Sequence, residues 1–189
     1  MSPARAVWEV ASSSTLEAGV VTADSALRAD PDLRDQLEDL QARFVRVPGS
    51  RTARAAVALA DPRSESAGES VTRVQLHRHQ VPMPDLQHEV RGGDGRLIGR
   101  SDFSWPEFRH LGEFDGKVKY ERFLRKGESA SDRVVREKRR EDEMRDEGYG
   151  MTRFVWSMVM PDASRRTMAA LLPVLARSQR LYVGFGAAG

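Results

Sequence analysis

Acidic residues in the middle of the chain occur at a spacing that suits metal binding. Asp102 stands in an apolar setting beside Phe103, and Glu113 and Asp115 follow in the segment LGEFDG. If both segments are β-strands, side chains alternate between the faces, so Glu113 and Asp115 point the same way. Asp102 on a neighbouring strand can then meet them, and converging carboxylates repel one another unless a cation lies between them. The pattern predicts a site for a hard divalent cation, Mg²⁺ or Mn²⁺, and the alternative is that Glu113 and Asp115 are surface acids on an edge strand.

A basic run follows these acids. Lys117 and Lys119 begin it, and Tyr120 and Arg122 continue it. A carboxylate-bound Mg²⁺ acts as a Lewis acid and activates water, and a nearby lysine offsets the developing charge. Basic residues with one aromatic residue also suit contacts to a nucleic-acid backbone, although a solvated loop has the same composition. These residue types favour phosphodiester hydrolysis, with Lys117 or Lys119 as the catalytic cation and all four residues as nucleic-acid contacts.

The segments that must position these residues predict an α/β domain. Alternating apolar residues on either side of a glycine-rich turn at residues 92–95 indicate a hairpin. The predicted strands span residues 86–90, 97–103, 109–115 and 151–156, and the predicted helices span residues 65–79, 132–147 and 162–179. The order helix, three strands, helix, strand, helix predicts a mixed sheet covered by helices. On the highly charged second helix, we expect Lys138 or Arg139 to face the acidic edge and a nucleic acid, and the rest to face water.

The first sixty residues predict helices only. The capping-box pattern STLE begins one helix, and Leu33, Leu37, Leu40 and Phe44 recur at helical spacing in the next. Asp-Pro and Pro-Gly breaks separate four short helices between residues 3 and 59. We therefore divide the chain into a helical connector, residues 1–60, and an α/β domain, residues 61–182.

The composition excludes several classes of protein. The 189 residues carry a formal net charge of +2, so only a local patch could attract nucleic acid. The absence of cysteine excludes disulfides and thiolate zinc sites and suits a cytoplasmic location. We expect no membrane association, because the N-terminus lacks the pattern of a signal peptide and no segment approaches the ~20 apolar residues of a membrane span.

The order of elements and the residues on them resemble the PD-(D/E)XK nuclease fold. The stretches SESAGES, LHRHQVPMPDLQHEV, GRSDFSWPE, GEFDGKVKY and EKRREDEMRDEGYGMTRFVW carry the resemblance, which covers roughly residues 61–156. It is strongest to small actinobacterial endonuclease-domain proteins similar to the very-short-patch mismatch repair endonuclease. The longer members of that group are often labelled as type IV abortive-infection antitoxins, and the helical segment here resembles the connector that follows their winged-helix domain.

The resemblance implies metal-binding residues one by one. Asp102 matches the first metal aspartate of the family, and Glu113 matches the acidic residue of the (D/E)XK part. Phe114 would offer its backbone carbonyl to the metal ion. Glu69 matches an acidic residue on the first core helix that completes some of these sites, but an acid in a first helical turn is also favoured by the helix dipole.

One departure from the family pattern concerns the motif lysine. Asp115 occupies its position, an exchange that is usual in this subgroup, and Lys117, Lys119 or Lys138 would then supply the cation. The resemblance implies a Mg²⁺-dependent endonuclease that acts on DNA. Because the motif lysine is missing, the alternative is a non-catalytic regulatory module, such as an antitoxin effector, that keeps the nuclease-like fold and binds a cognate toxin or a winged-helix partner.

Overall fold

The computed structural model describes residues 1–116 and 130–183. The chain divides into two compact units, Met1–Val74 and the residues from Gln75 onward. The division falls inside a helix, whereas the sequence places the start of the α/β domain at residue 61. In the two described ranges, no helix combines the length and the apolar character that crossing a membrane requires.

The first unit consists of helices, and side chains cap the starts of the first two. Its helices are α1 (Pro3–Ser13), α2 (Leu16–Ala29), α3 (Leu33–Arg43), α4 (Ser50–Leu59) and most of α5 (Ala67–Arg78). Ser2 caps α1, because its side-chain oxygen accepts the amide of Arg5 at 3.3 Å. Thr15 caps α2 in the same way, through the amide of Ala18 at 3.2 Å. The four helices predicted before residue 60 are therefore all present.

The core of this unit combines close helix packing with one buried ion pair. Gly19 on α2 lies so near α4 that an added β-carbon would stand 2.9 Å from Cβ of Ala56. Arg73 Nη1 lies 3.0 Å from Asp24 Oδ2, and both side chains are buried. Asp24 also accepts the amide of Asp61 at 2.7 Å. These contacts offset part of the cost of burying the carboxylate, although burial still raises the pKa of Asp24.

The second unit is built on a four-stranded mixed sheet. Its strands are β1 (Asp85–Arg91), β2 (Leu97–Trp105), β3 (His110–Phe114) and β4 (Gly150–Phe154), in that spatial order. β2 is antiparallel to both β1 and β3, and β4 is parallel to β3. Parallel strands need a long crossover, and the chain between β3 and β4 contains α6 (Ala130–Asp146). The strands that carry Asp102 and Glu113 are therefore the interior pair of this sheet.

Helices pack on both faces of the sheet. On one face, Met144 of α6 is buried against Leu111 and Val90. After β4 come α7 (Trp156–Val159) and α8 (Pro161–Tyr182), and Ser178 of α8 hydrogen bonds with His110 of β3. Because successive strand residues point to opposite faces, His110 and Leu111 mark the two sides. The predicted α/β arrangement with a helix-covered mixed sheet is confirmed, and α7 is an element that the sequence did not predict.

A buried histidine joins β3, β4 and α8. His110 Nδ1 lies 2.8 Å from Ser178 Oγ, and Nε2 lies 2.8 Å from Thr152 Oγ1. Burial, with a smaller effect from the charge of Arg145, lowers the pKa of His110 to about 4. A β-carbon on Gly150 would collide with Ser178 Oγ and with the His110 ring. Glycine is therefore required at the start of β4 for this hydrogen-bonded cluster to form.

Candidate functional site

The backbone pairing of β2 and β3 ends beside the predicted metal aspartate. Phe103 and Gly112 form the last backbone pair at this end of the two strands. Beyond it, Asp102 Oδ2 accepts the amide of Phe114 at 2.8 Å. A carboxylate thus replaces a backbone carbonyl as the acceptor, and the hydrogen bond holds Asp102 beside the residue that follows Glu113. The two predicted metal ligands lie on neighbouring strands at the same end of the ladder.

Two buried serines of β2 differ in whether their hydroxyl groups form hydrogen bonds near the end of the β2–β3 pairing. The hydroxyl of Ser101 lies 2.9 Å from the carbonyl oxygen of Gly112 and 3.0 Å from that of Phe103, and it donates to this pair. The hydroxyl of Ser104 has no hydrogen-bond partner among the described residues. A buried hydroxyl without a partner loses its hydration and regains nothing. Ser101 therefore supports the Asp102 end of the strand pair, whereas Ser104 does not.

Glu113 is held by two arginines. Its Oε1 lies 2.7 Å from Arg140 Nη2, and its Oε2 lies 3.6 Å from Arg153 Nη2. The side chain of Glu113 is 14% exposed and that of Arg140 is 22% exposed, so solvent screens this ion pair less than a surface pair. Although partial burial lowers the pKa of Arg140, the carboxylates of Glu113 and Glu137 raise it above its ordinary value. Guanidinium groups therefore occupy both oxygens of the predicted metal ligand.

These arginines belong to a larger charge network. Arg140 Nη2 also lies 2.9 Å from Glu137 Oε2, and Arg153 also pairs with Glu141. The register of the parallel strands places Arg153 beside Glu113. The network therefore links α6 to β3 and β4, and Glu113 lies at its centre.

A small cavity adjoins the network. Its volume is about 130 Å³, which leaves room for a few water molecules. The cavity is lined by Glu113, Glu141, Arg145, Met151, Thr152 and Arg153. Acidic and basic groups line the same space, so it could admit water or a small anionic group beside Glu113.

Asp115 lies one residue beyond β3. Its amide donates to the carbonyl of Phe154 at 2.8 Å, which continues the pairing with β4. Within residues 1–116 and 130–183, no three acidic, histidine or cysteine side chains are arranged to hold a metal ion. The expected convergence of Asp102, Glu113 and Asp115 is therefore not seen. A magnesium ion can bind through one or two carboxylates together with water, which leaves Asp102 and Glu113 as the donor pair to consider.

The side chain of Glu69 accepts hydrogen bonds at the N-terminal end of α5. Its Oε1 accepts the hydroxyl of Ser66 at 2.6 Å and its Oε2 accepts the amide of Glu65 at 2.9 Å, while its own amide donates to Ser66 Oγ at 3.3 Å. This reciprocal arrangement is a capping box. Glu69 belongs to the first unit and Asp102 to the second. The capping contacts account for an acidic residue at this position, and its metal-binding role stays a prediction.

The structure describes only some of the residues predicted to contact nucleic acid or to supply the catalytic cation. Lys138 and Arg139 are exposed on α6, and the neighbouring Arg140 is the residue that reaches Glu113. The nucleic-acid contacts predicted for Lys138 and Arg139 stay predictions. Four further predicted residues lie outside the part of the chain that the structure describes: Lys117, Lys119, Tyr120 and Arg122.

Sequence reasoning missed Arg140 and Arg153. The alternating charges of α6 predict a solvent-exposed face, and this interpretation overlooks one position. Met144 is a buried apolar residue of α6, and Arg140 precedes it by one turn, so both lie on the same side. The arginine one helical turn from Met144 is Arg140, so the helical spacing alone would have indicated that Arg140 faces the sheet. Arg153 required knowledge of the strand pairing, because nothing local indicates that it lies beside Glu113.

Two proteins of Mycobacterium tuberculosis are similar to this chain. "Uncharacterized protein Rv2248" of strain ATCC 25618 / H37Rv and "Uncharacterized protein MT2308" of strain CDC 1551 / Oshkosh are each 34% identical to it over 113 residues. The match covers 60% of this chain and 41% of each relative, so the chain spans about two fifths of the length of the curated relatives it matches. No protein-family model matches the chain, and no solved structure matches it.

Proposed function

We propose that the second unit is a PD-(D/E)XK-type nuclease that hydrolyses phosphodiester bonds in DNA, with Mg²⁺ or Mn²⁺ held by Asp102 and Glu113. The observation that carries this proposal is the hydrogen bond from the amide of Phe114 to Asp102. It keeps the aspartate beside Glu113 at the point where β2 and β3 stop pairing. The order of strands and helices supports the same proposal, because a parallel β4 reached through α6 completes the arrangement that the resemblance implies.

The donor chemistry of this pair fits a hard cation. Mg²⁺ prefers carboxylate oxygens, and it keeps several water molecules when only one or two carboxylates bind it. Asp102 and Glu113 supply those carboxylates, and the cavity beside Glu113 has room for water. When bound, the ion supplies Lewis-acid activation of water and neutralisation of the phosphate charge.

The arginines of the network take the place of the motif lysine in this proposal. Arg140 and Arg153 must release Glu113 before its oxygens can bind a cation. A released guanidinium group can donate two parallel hydrogen bonds to a phosphate. The two ion pairs with Glu113 therefore keep Arg140 and Arg153 beside the site as phosphate-binding groups. They supply the positive charge that the motif lysine would supply in the family, since Asp115 occupies its position here.

Cleavage of supercoiled plasmid DNA tests the proposal. Asp102→Asn and Glu113→Gln keep the size of each side chain and remove its negative charge, so we expect both variants to lose Mg²⁺- and Mn²⁺-dependent nicking. Glu107→Gln serves as the matched control, because Glu107 is an exposed acid of the same unit. Full activity in either of the first two variants would exclude this assignment.

The pairing of Glu113 with Arg140 and Arg153 also favours a second candidate. A carboxylate that is permanently neutralised by guanidinium groups suits a non-catalytic regulatory module that keeps a nuclease-like fold, such as an antitoxin effector. Calorimetric titration with Mg²⁺ and Mn²⁺ separates the two candidates. Metal binding that Glu113→Gln abolishes supports the nuclease, whereas no metal binding at millimolar concentration, with retained binding of DNA or of a toxin, supports the regulatory module.

A further inference from the structure

The arginines of the first unit fall into two groups. Six of them have hydrogen-bond or ion-pair partners: Arg5, Arg28, Arg34, Arg54, Arg63 and Arg73. The side chains of the other three, Arg43, Arg46 and Arg51, make no hydrogen bond or ion pair with any described residue. All three are exposed, and they lie on the loop between α3 and α4 and at its two edges. We call residues 43–51 the arginine loop.

The charge around the arginine loop is one-sided. Residues 40–60 contain no aspartate or glutamate, although acids are frequent both before and after this stretch. The three side chains are exposed to solvent, and the nearest acid along the chain is Asp39, one helical turn before Arg43. Exposed charges of one sign create a local potential that attracts an oppositely charged polymer, even in a protein of small net charge.

We propose that the arginine loop binds the phosphate backbone of double-stranded DNA, the polymer proposed as the substrate of the second unit. This inference rests on the proposed nuclease function for the identity of the polymer. Guanidinium groups are the side chains best suited to phosphate oxygens, because they present donors in a fixed fork and stay charged at every physiological pH. Three such groups within a short loop match a ligand that carries anions at regular intervals.

An acidic protein segment is the competing ligand for this surface. Stable protein interfaces have an apolar, desolvated centre, whereas contacts to a DNA backbone need long, positively charged side chains that can extend to the phosphate oxygens. Two valines, Val45 and Val47, are the large apolar residues that the loop exposes substantially. Two side chains of this size form a small apolar centre, and the rest of the exposed loop is mainly arginine. The surface therefore fits a phosphate backbone better than it fits a protein groove.

The salt dependence of DNA binding tests the inference with the full-length chain. A labelled 20-base-pair duplex is titrated in EDTA, so that no cleavage occurs, and its dissociation constant is followed by fluorescence anisotropy as the salt concentration rises. Each phosphate neutralised contributes about −0.9 to the slope of log K against log salt. The triple variant Arg43→Gln, Arg46→Gln, Arg51→Gln should therefore lower the magnitude of that slope by about 3 and weaken binding at low salt.

Two further variants make the test specific. The control Arg165→Gln, Arg166→Gln, Arg180→Gln removes the same charge from exposed positions of α8 and should leave the slope nearly unchanged. Replacing the three loop arginines by lysine keeps the charge and should retain most of the slope, which separates a loss of phosphate contacts from a loss of folding.

Each outcome of this test decides for or against the arginine loop. The inference is overturned if the wild-type chain does not bind the duplex, if the loop variant keeps the wild-type slope, or if the α8 control loses as much. If DNA binding depends on the loop but the plasmid assay shows no cleavage, only the nuclease proposal is excluded. If the plasmid is cleaved but the triple variant keeps the wild-type slope, only the proposal for the arginine loop is excluded.

Discussion

Arg140 on α6 and Glu113 on β3 form an ion pair of 2.7 Å, so the carboxylate predicted as a metal ligand is already neutralised by the protein itself. A divalent cation and this guanidinium group compete for the same oxygen. The pair is partly shielded from water, which makes the competition stronger than it would be at an exposed surface. Metal affinity at Asp102 and Glu113 should therefore depend on a residue that does not bind the metal.

Replacing Arg140 by methionine tests this competition. Arg140→Met keeps an unbranched side chain and removes the charge, so we expect Mn²⁺ to bind about tenfold tighter, as a loss of about 1.4 kcal/mol of competition implies. We also expect slower DNA cleavage, because a phosphate-binding group is lost. Calorimetry with Mn²⁺ measures the first effect, and Arg139→Met, at an exposed neighbouring position, is the control. An unchanged Mn²⁺ affinity in Arg140→Met would contradict the competition.

The two serines of β2 should respond in opposite ways to alanine. Ser101→Ala removes a buried hydrogen bond to the end of β3, and we expect the free energy of unfolding of the second unit to fall by about 1 kcal/mol. Ser104→Ala removes a buried hydroxyl that has no partner among the described residues, so we expect no loss or a small gain. Urea unfolding followed by tryptophan fluorescence measures both. A larger loss from Ser104→Ala than from Ser101→Ala would refute this account of the strand end.

The stability of the second unit should depend on pH through His110. The pKa of His110 is about 4 in the folded protein and about 6.5 in an unfolded chain, so above pH 6.5 neither state binds the proton. Between pH 6.5 and 4 the unfolded chain binds a proton that the folded protein does not, and stability falls by up to about 3 kcal/mol. Urea unfolding across this range should show the fall in the wild type and a flatter profile in His110→Asn. Parallel profiles would assign the acid sensitivity to other groups.

Gly150 should tolerate no side chain. Gly150→Ala places a methyl group against Ser178 Oγ and the His110 ring, and we expect a loss of about 2–3 kcal/mol because the surrounding core cannot move freely. Gly93→Ala is the control, since a β-carbon there meets nothing within 4 Å. Combining Gly150→Ala with Ser178→Gly should recover part of the loss, as thermal unfolding would show. No recovery in the double variant would mean that the collision with Ser178 is not the cause.

Much of this fold can be predicted from local patterns in the sequence. Thr15 and Gly148 mark a helix start and a helix end through capping and left-handed backbone geometry, which involve only a few neighbouring residues. The strands around Asp102 and Glu113 follow from alternation, which is also local. Local rules did not predict α7, a single turn of helix for which the chain carries no long periodic signal.

The candidate site was predicted only in part, because its electrostatics depend on distant residues. The placement of Asp102 and Glu113 on neighbouring strands follows from the sequence pattern, whereas the interior position of these strands is known from the structure. The occupation of Glu113 by Arg140 does not follow from the pattern, because it depends on which side of α6 packs against the sheet. The sequence places the end of this strand at residue 115, whereas β3 ends at Phe114 and Asp115 follows it.

By itself, the sequence determined the order of the strands and the longer helices, the two acids of the candidate site and the stretch without acids around the arginine loop. Only the tertiary structure decided which charges meet, as Arg140 and Arg153 do with Glu113. The physical reason is range. Capping, turns and periodicity act over a few residues, whereas an ion pair forms wherever packing brings two side chains within a few ångströms, irrespective of their separation along the chain.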